Sequence, residues 1–358
     1  RPPSGGAERR RPAGGAGGLR KGNMRGGTRG MPTACGRLAP TRRVSTTPTR
    51  ETDMHDDAPG GPLGVGEAEK ARAADWFTRL RDDICAAFEA IEDAQDAGPF
   101  AHLPPGRFER KETRRAGEGE GDQGGGVMSV MREGRVFEKV GVNVSAVYGT
   151  LGEQARRSLT SRKAIPGLDE DPRFWASGVS LVAHMRSPKT PAVHMNTRMF
   201  WTPGAWWFGG GSDLNPMVEE PEDTAFFHGV LKAACDRHDP EYYPRFKAWA
   251  DEYFMIRHWQ EPRGVGGIFY DDLCTGDWEA DFAFTQDVGR AFLDAFVPLT
   301  EKHMREGWTE AEREWQLVKR GRYAEFNLVY DRGTQFGLHT GHNPEAVLMS
   351  LPPVAKWP

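Results

Sequence analysis

The chain has 358 residues, of which 38% are hydrophobic and 27% charged, and its 11 Trp, 19 Phe and 7 Tyr supply enough apolar mass for a core, which excludes a chain disordered throughout. A formal net charge of −4 provides no global basic field, so nucleic acid is not an expected partner and any cationic site for an acidic ligand must be local. No stretch approaches the roughly 18 apolar residues of a transmembrane segment, and Cys35, Cys85, Cys235 and Cys274 fall at no zinc-ligand spacing and read as reduced thiols.

Residues 1–60 are rich in Arg, Gly, Pro, Ala, Ser and Thr, hold no acid between Arg9 and Arg50, and lack an apolar signal core. That composition predicts an organelle transit peptide or disordered leader, with the plastid placed ahead of the mitochondrion. The folded domain is expected over residues 66–358. Trp76, Phe77, Leu80, Ile84, Phe88 and Ile91 recur at helical spacing and predict an amphipathic helix over 67–93. Residues 127–149 read as strands around a turn at 131–135. Further strands are predicted at 179–184, 192–200 and 205–208, then helices at 222–237 and 241–259. A short strand at 266–270, helices at 282–304 and 310–320, and strands at 326–330 and 346–351 complete the order. Neighbouring strands joined by short turns imply an α+β fold: a single domain with a large, mainly antiparallel sheet flanked by α-helices on both faces.

Pro188 and Pro191 mark a turn between two strand-like arms, because proline cannot sit in a central strand. A hairpin centred near Lys189 sets His184 opposite His194, Val182 opposite Asn196 and Ser180 opposite Arg198. Strand parity then gathers Ser180, His184, His194, Asn196 and Arg198 on one face, with Val179, Leu181, Val193 and Met195 on the other. A hydroxyl, two imidazoles, an amide and a guanidinium on one patch point to a site rather than a solvated surface.

Three further segments carry candidate chemistry. Trp206 to Pro216 reads as a strand entering a Gly209–Gly211 turn that presents Asp213, with aromatics able to pack against a flat ligand. Asp271 and Asp272 follow a strand, as metal ligands, proton acceptors or simple caps. Asp331 and Arg332 precede a glycine and suit a charge-balanced carboxylate clamp or an internal ion pair. His184, His194, His228 and His258 match no standard zinc spacing.

The segments HMNTR (194–198), WWFGGGSDLNP (206–216), RGVGGIFYDDL (263–273) and FNLVYDRGTQFGL (326–338), with VFEKVGVNVS (136–145) and VLMSLPP (347–353), resemble the oxygen-dependent coproporphyrinogen III oxidases from about residue 70 onward. The resemblance implies a flat antiparallel sheet between helix layers and a homodimer. It implies oxidative decarboxylation of two propionates of coproporphyrinogen III to vinyls, giving protoporphyrinogen IX in heme and chlorophyll synthesis, with molecular oxygen as co-substrate and no organic cofactor. By position it implies His194 as proton donor and Asp213 as the carboxylate for the pyrrole N–H groups, with Arg198 as a third catalytic residue. Ser180, Asn196, Thr197, Arg198, Arg332, Gly341, His342 and Asn343 would contact substrate. His258 would be linked to dimerisation, and His184, His194, His228 and His258 match histidines described as binding a divalent metal in bacterial members. Cations for the substrate's carboxylates fit this chemistry, since guanidinium grips carboxylate in a bidentate way. The chain departs from the family pattern at Gly341-His342-Asn343, where an Arg is usual, and it stops at Pro358 before a C-terminal segment that members carry. The altered loop motivates a rival reading, a divergent tetrapyrrole binder with weak or no turnover.

Overall fold

The amphipathic stretch behind Val65 forms α1 (Glu67–Ala94), which buries Phe77, Leu80, Ile84, Phe88 and Ile91 along one stripe. The computed structural model describes residues 64–115, 123–161, 163–339 and 342–358, so the leader over 1–60 and Gly341 lie outside the described residues. From α1 the chain enters β1 (Glu109–Arg114), β2 (Gly124–Arg132) and β3 (Phe137–Thr150), passes α2 (Glu153–Thr160), and continues through β4 (Arg173–Met185), β5 (Ala192–Thr202) and β6 (Ala205–Asn215). Then come α3 (Pro221–Asp236), α4 (Tyr242–Tyr253), the short β7 (Met255–Ile256) and β8 (Glu261–Pro262), and β9 (Gly266–Leu273). Four helices close the order: α5 (Trp278–His303), α6 (Glu310–Val329), α7 (Arg332–His339) and α8 (Pro344–Val347), the last running into a 3-10 turn at Leu348–Ser350.

Seven strands form one sheet in the order β1-β2-β3-β4-β5-β6-β9, each neighbour antiparallel, as the α+β expectation required. One face packs on α1, α3 and α5: Val179, Leu181, Val193, Met195, Met199, Trp206 and Phe208 join Phe77, Phe227 and Phe292 in the main core. Among the described residues the other face is covered at its ends and, at its β9 edge, by Tyr253 and Phe254 over Phe269. At one end α2 closes over Phe174, Trp207 and partly buried Phe200. At the other, α6 and the 343–351 strap cover His184, Met128 and Val130, with Met349 of the strap packed on the last two. A buried carboxylate braces the frame: Glu92 of α1 accepts from the backbone N–H groups of Gly106, Arg135, Val136 and Phe137 at 2.6–2.9 Å.

Two strands expected at 326–330 and 346–351 are helical instead. The first is the last turn of α6, a helix launched by a capping box at Thr309 and Glu312, and its mixed burial (Phe326 inward, Leu328 and Val329 out) is helical rather than alternating. The second lies over strands β2 to β4, which already have partners on both sides, so its apolar residues plug the sheet face from above. The helix expected over 241–259 stops at Tyr253, where the chain bends into the β7–β8 hairpin that delivers Arg263.

Candidate active site

Strand β5 alternates strictly: Val193, Met195, Thr197 and Met199 are buried toward the helices, whereas His194, Asn196, Arg198 and Phe200 face the partly open side. In the observed register Val182 faces His194, Ser180 faces Asn196 and Gly178 faces Arg198. The hairpin is thus centred on Pro188, not Lys189, and slides by two residues from the expected pairing. A slide of two preserves parity, so Ser180, His184, His194, Asn196 and Arg198 share a face as predicted. His184 nonetheless sits outside the trough, 1% exposed, with Nε2 against the Ser350 carbonyl at 2.9 Å and its ring edge-on to Tyr323.

Glycines and serines hold half of the positions in the two central rows of the trough floor. Ser145, Gly178, Arg198, Gly209 and Asp271 form one row across five strands, and Asn143, Ser180, Asn196, Gly211 and Phe269 the next. Gly209 has a direct use. A Cβ there would lie 3.0 Å from both Arg198 Cζ and Asp271 Oδ1, so its absence lets the Arg198 side chain cross the strand to Asp271. The Gly209–Gly211 run is therefore mid-strand and not the expected turn, and Trp206 and Phe208 pack in the core on the opposite face instead of shielding Asp213.

A continuous polar chain crosses this floor. Arg198 Nη2 donates to Asp271 Oδ1 at 2.6 Å, and Arg198 Nη1 to Asn196 Oδ1 at 2.8 Å. Guanidinium has no acceptor, so the Asn196 oxygen must face it and the Asn196 amide N–H must face His194 Nε2, 3.1 Å away. Nε2 is then the acceptor, and Nδ1–H donates to Asp213 Oδ1 at 2.8 Å. Arg332 enters from the start of α7, with Nη2 3.9 Å from Asp271 Oδ2.

Asp213 is 1% exposed, and its oxygens are occupied by His194, Asn215 Nδ2 and two contacts from Arg263 Nη2 at 2.7 and 2.8 Å. Burial alone would raise its pKa, but Arg263 and His194 hold it below the ordinary carboxylate value. In this arrangement the carboxylate is linked to the trough through His194. Arg263 is enclosed by Phe254, Tyr323 and Phe326, its Cζ 4.4–4.6 Å from each ring, and donates to Asn327 Oδ1 at 3.0 Å. Sequence reasoning assigned Arg263 no role. The available signal was physical: a buried Asp213 on a central strand demands a cation, and Arg263 opens the neighbouring strand's motif.

The remaining expected contacts divide. Thr197 points to the core, 0% exposed, because it is odd in the parity that places Asn196 and Arg198 in the trough, so its side chain is not a substrate contact. Asn343 caps α8 by accepting from the Glu345 N–H at 2.8 Å. His342 packs near Phe336, its pKa pushed down by burial and by Arg115. Asp331 caps α7 through the Thr334 N–H at 2.7 Å and accepts from Tyr253, so it does not pair with the Arg332 side chain. His258 bridges Tyr330 and Glu325 at 2.7 Å each, beside exposed Trp259, Val329 and Trp357.

The four histidines do not form one ligand set within the chain. His194, His228 and His258 have protein partners on both ring nitrogens, with His228 held by Tyr243 and the Val265 carbonyl. Among the described residues the one grouping of three potential donors is Glu220, Asp223 and His303, and there Lys302 Nζ already stands between the two carboxylates, 2.5 Å from Asp223 and 3.1 Å from Glu220.

A family model described as coproporphyrinogen III oxidase matches residues 72–358. The chain belongs to that family. It is 52% identical over 282 residues to the oxygen-dependent coproporphyrinogen-III oxidase of Rickettsia bellii strain RML369-C, which covers 79% of this chain and 96% of that protein. The enzymes of the same description from Rickettsia peacockii strain Rustic and Rickettsia akari strain Hartford are 50% and 49% identical over 290 and 288 residues, each covering 80% of this chain and 98% of theirs. The oxidase family reading of the motifs thus stands, and the trough lies where those motifs converge.

Proposed function

We propose that this chain is an oxygen-dependent oxidoreductase that converts two propionates of coproporphyrinogen III to vinyl groups in heme biosynthesis. For each side chain one carboxylate leaves as carbon dioxide, a hydrogen and its electron pair pass to oxygen, and with one proton hydrogen peroxide forms. The observation that carries the reading is the unbroken line Asp271–Arg198–Asn196–His194–Asp213–Arg263 laid across a floor of glycine and serine in a chain of this family.

The roles follow from the geometry. A flat macrocycle rests on the side-chain-poor floor, where Ser180 and Asn196 offer hydrogen bonds. Arg198 and Arg332 hold carboxylates, and Asp271 between them offsets one of the two charges before the ligand arrives, leaving one unit of positive charge for the ligand. His194, fixed as the Nδ1–H tautomer by Asp213, carries its lone pair on Nε2, the atom at which it would take up a proton and from which it would then act as the proton donor that the resemblance implied. No organic cofactor is required, because the electron-rich porphyrinogen supplies the electrons and oxygen takes them. No step is assigned to a metal, since the histidines are not convergent.

The exposed patch of Trp259, Val329 and Trp357 around His258 supports a homodimer in which a second copy of the chain would cover it. The arginine-rich leader supports import into the plastid, tested by fusing residues 1–60 to a fluorescent protein. Incubation with coproporphyrinogen III in air, with and without chelator, tests the activity. Vinyl product with one equivalent each of carbon dioxide and peroxide per propionate is expected in both arms. Tight binding of the tetrapyrrole without turnover would favour the divergent-binder reading.

A further inference from the structure

We propose that Tyr253 is the positioning residue for Arg332, and that it thereby sets the spacing of the two guanidinium groups that flank Asp271. The inference rests on reading the trough as a site for the carboxylates of a tetrapyrrole. Tyr253 closes α4, outside every motif singled out above, yet it holds Arg332 at both ends. Its hydroxyl accepts from the Arg332 backbone N–H at 3.1 Å and donates to Asp331 Oδ1 at 2.9 Å. Its ring lies against Phe269 of β9, centroids 4.2 Å apart and planes 7° from parallel, and Arg332 Cζ sits 4.8 Å from the Tyr253 centroid.

The two contacts have different consequences. The hydroxyl fixes where α7 begins, because Asp331, which it binds, also caps that helix through Thr334. The ring fixes where the guanidinium points: stacked over Tyr253, Arg332 is directed at Asp271 Oδ2. Burial and Asp331 push the phenol's pKa up, so the hydroxyl stays a neutral donor. An arginine at a helix start is otherwise a long, mobile side chain, and ordering it on ligand binding costs entropy. Tyr253 imposes that order in the free protein. A ligand carboxylate then meets Arg332 already aligned, on the opposite side of Asp271 from Arg198.

The test compares Tyr253→Phe, Tyr253→Leu, Arg332→Ala and the double variant Tyr253→Phe/Arg332→Ala. Three quantities are read: kcat and KM with coproporphyrinogen III in air, Kd for the oxidised tetra-acid coproporphyrin III by fluorescence, and Tm. Losing the neutral hydrogen bonds in Tyr253→Phe is expected to raise KM and Kd by about three- to tenfold, with kcat changing less. Tyr253→Leu, which also loses the stack, should raise them further. In the Arg332→Ala background Tyr253→Phe should change neither constant, since the residue it positions is gone. An equal effect with and without Arg332 would assign Tyr253 a merely structural role and overturn the proposal, as would unchanged KM and Kd in Tyr253→Phe. Absence of wild-type turnover would sink the oxidase reading alone, and the Kd comparison would still decide Tyr253.

Discussion

Replacing Asp213 with Asn changes one atom and no volume, but it removes the only carboxylate among the described residues in contact with Arg263, a guanidinium whose side chain is 2% exposed. Breaking one partner of a buried ion pair costs about 3–5 kcal/mol, because the remaining charge is left uncompensated. At about 2–4 °C per kcal/mol for a domain of this size, Tm should fall by about 6–20 °C. The single amide oxygen cannot serve both Arg263 and His194 Nδ1–H as two carboxylate oxygens do. The His194 tautomer is then no longer enforced, and kcat should fall about a hundredfold or more. Adding Arg263→Met separates the two effects. A thioether fits among Phe254, Tyr323 and Phe326, and replacing both charges by a neutral, packed pair should restore most of the lost stability but none of the rate. Thermal unfolding by circular dichroism and turnover, measured on the same preparations, check both outcomes. A single variant melting within about 2 °C of wild type, or a double variant no more stable than the single, would refute the buried-pair argument.

Arg198→Ala should raise KM and lower kcat/KM more than tenfold, since one charge-assisted carboxylate contact is worth about 1.5–3 kcal/mol, and unchanged steady-state kinetics would remove Arg198 from the site. Thr197→Val should leave KM and kcat unaltered and hold or raise Tm, because the Thr197 hydroxyl is buried toward the core without a partner, and a raised KM would return Thr197 to the trough. Glu138 is opposed by burial but held below its ordinary pKa by Arg313 and Arg320. A carboxyl depressed in the folded state contributes stability that is present above about pH 4.3 and is lost as pH falls through the lowered value, so the Tm gap between wild type and Glu138→Gln should stay level from pH 6 to about pH 5 and narrow from there to pH 3. A gap that stays constant over that range would show that the ion pair is not its source.

The elements with long periodic patterns were legible: α1 was expected over 67–93 and ends one residue later, and the β4–β5 hairpin put its polar face together despite a two-residue slide. Parity survives such a slide, whereas pair identities do not. It also placed Thr197 on the wrong face for a ligand, which positional resemblance overrode. The glycines at 209–211 looked like a turn because sequence carries no trace of a side chain passing over them; their purpose is visible only with Arg198 lying across Gly209. Short apolar runs at 326–330 and 346–351 could not be told from strands by pattern alone, and the sheet had no open place for either. Arg263 and Tyr253 escaped notice because their partners, Asp213 and Arg332, are 50 and 79 residues away.

The strap that closes one end of the trough is gripped in good part by its main chain. Asn143 Nδ2 donates to the Ala346 carbonyl at 2.9 Å, Lys139 Nζ to the Leu351 carbonyl at 2.7 Å, and His184 Nε2 to the Ser350 carbonyl at 2.9 Å. Every residue type offers the same carbonyl, so these grips do not read the strap's own letters. Of its side chains, Met349 is fixed by the hollow over Gly141 and Ser350 by Asn327. Asn343 caps α8 and Glu345 pairs with Lys111, while the remaining side chains can drift in sequence with the strap keeping its seat. An insertion or deletion, which would carry the carbonyls out of register with Asn143, Lys139 and His184, is the change this end of the trough tolerates least.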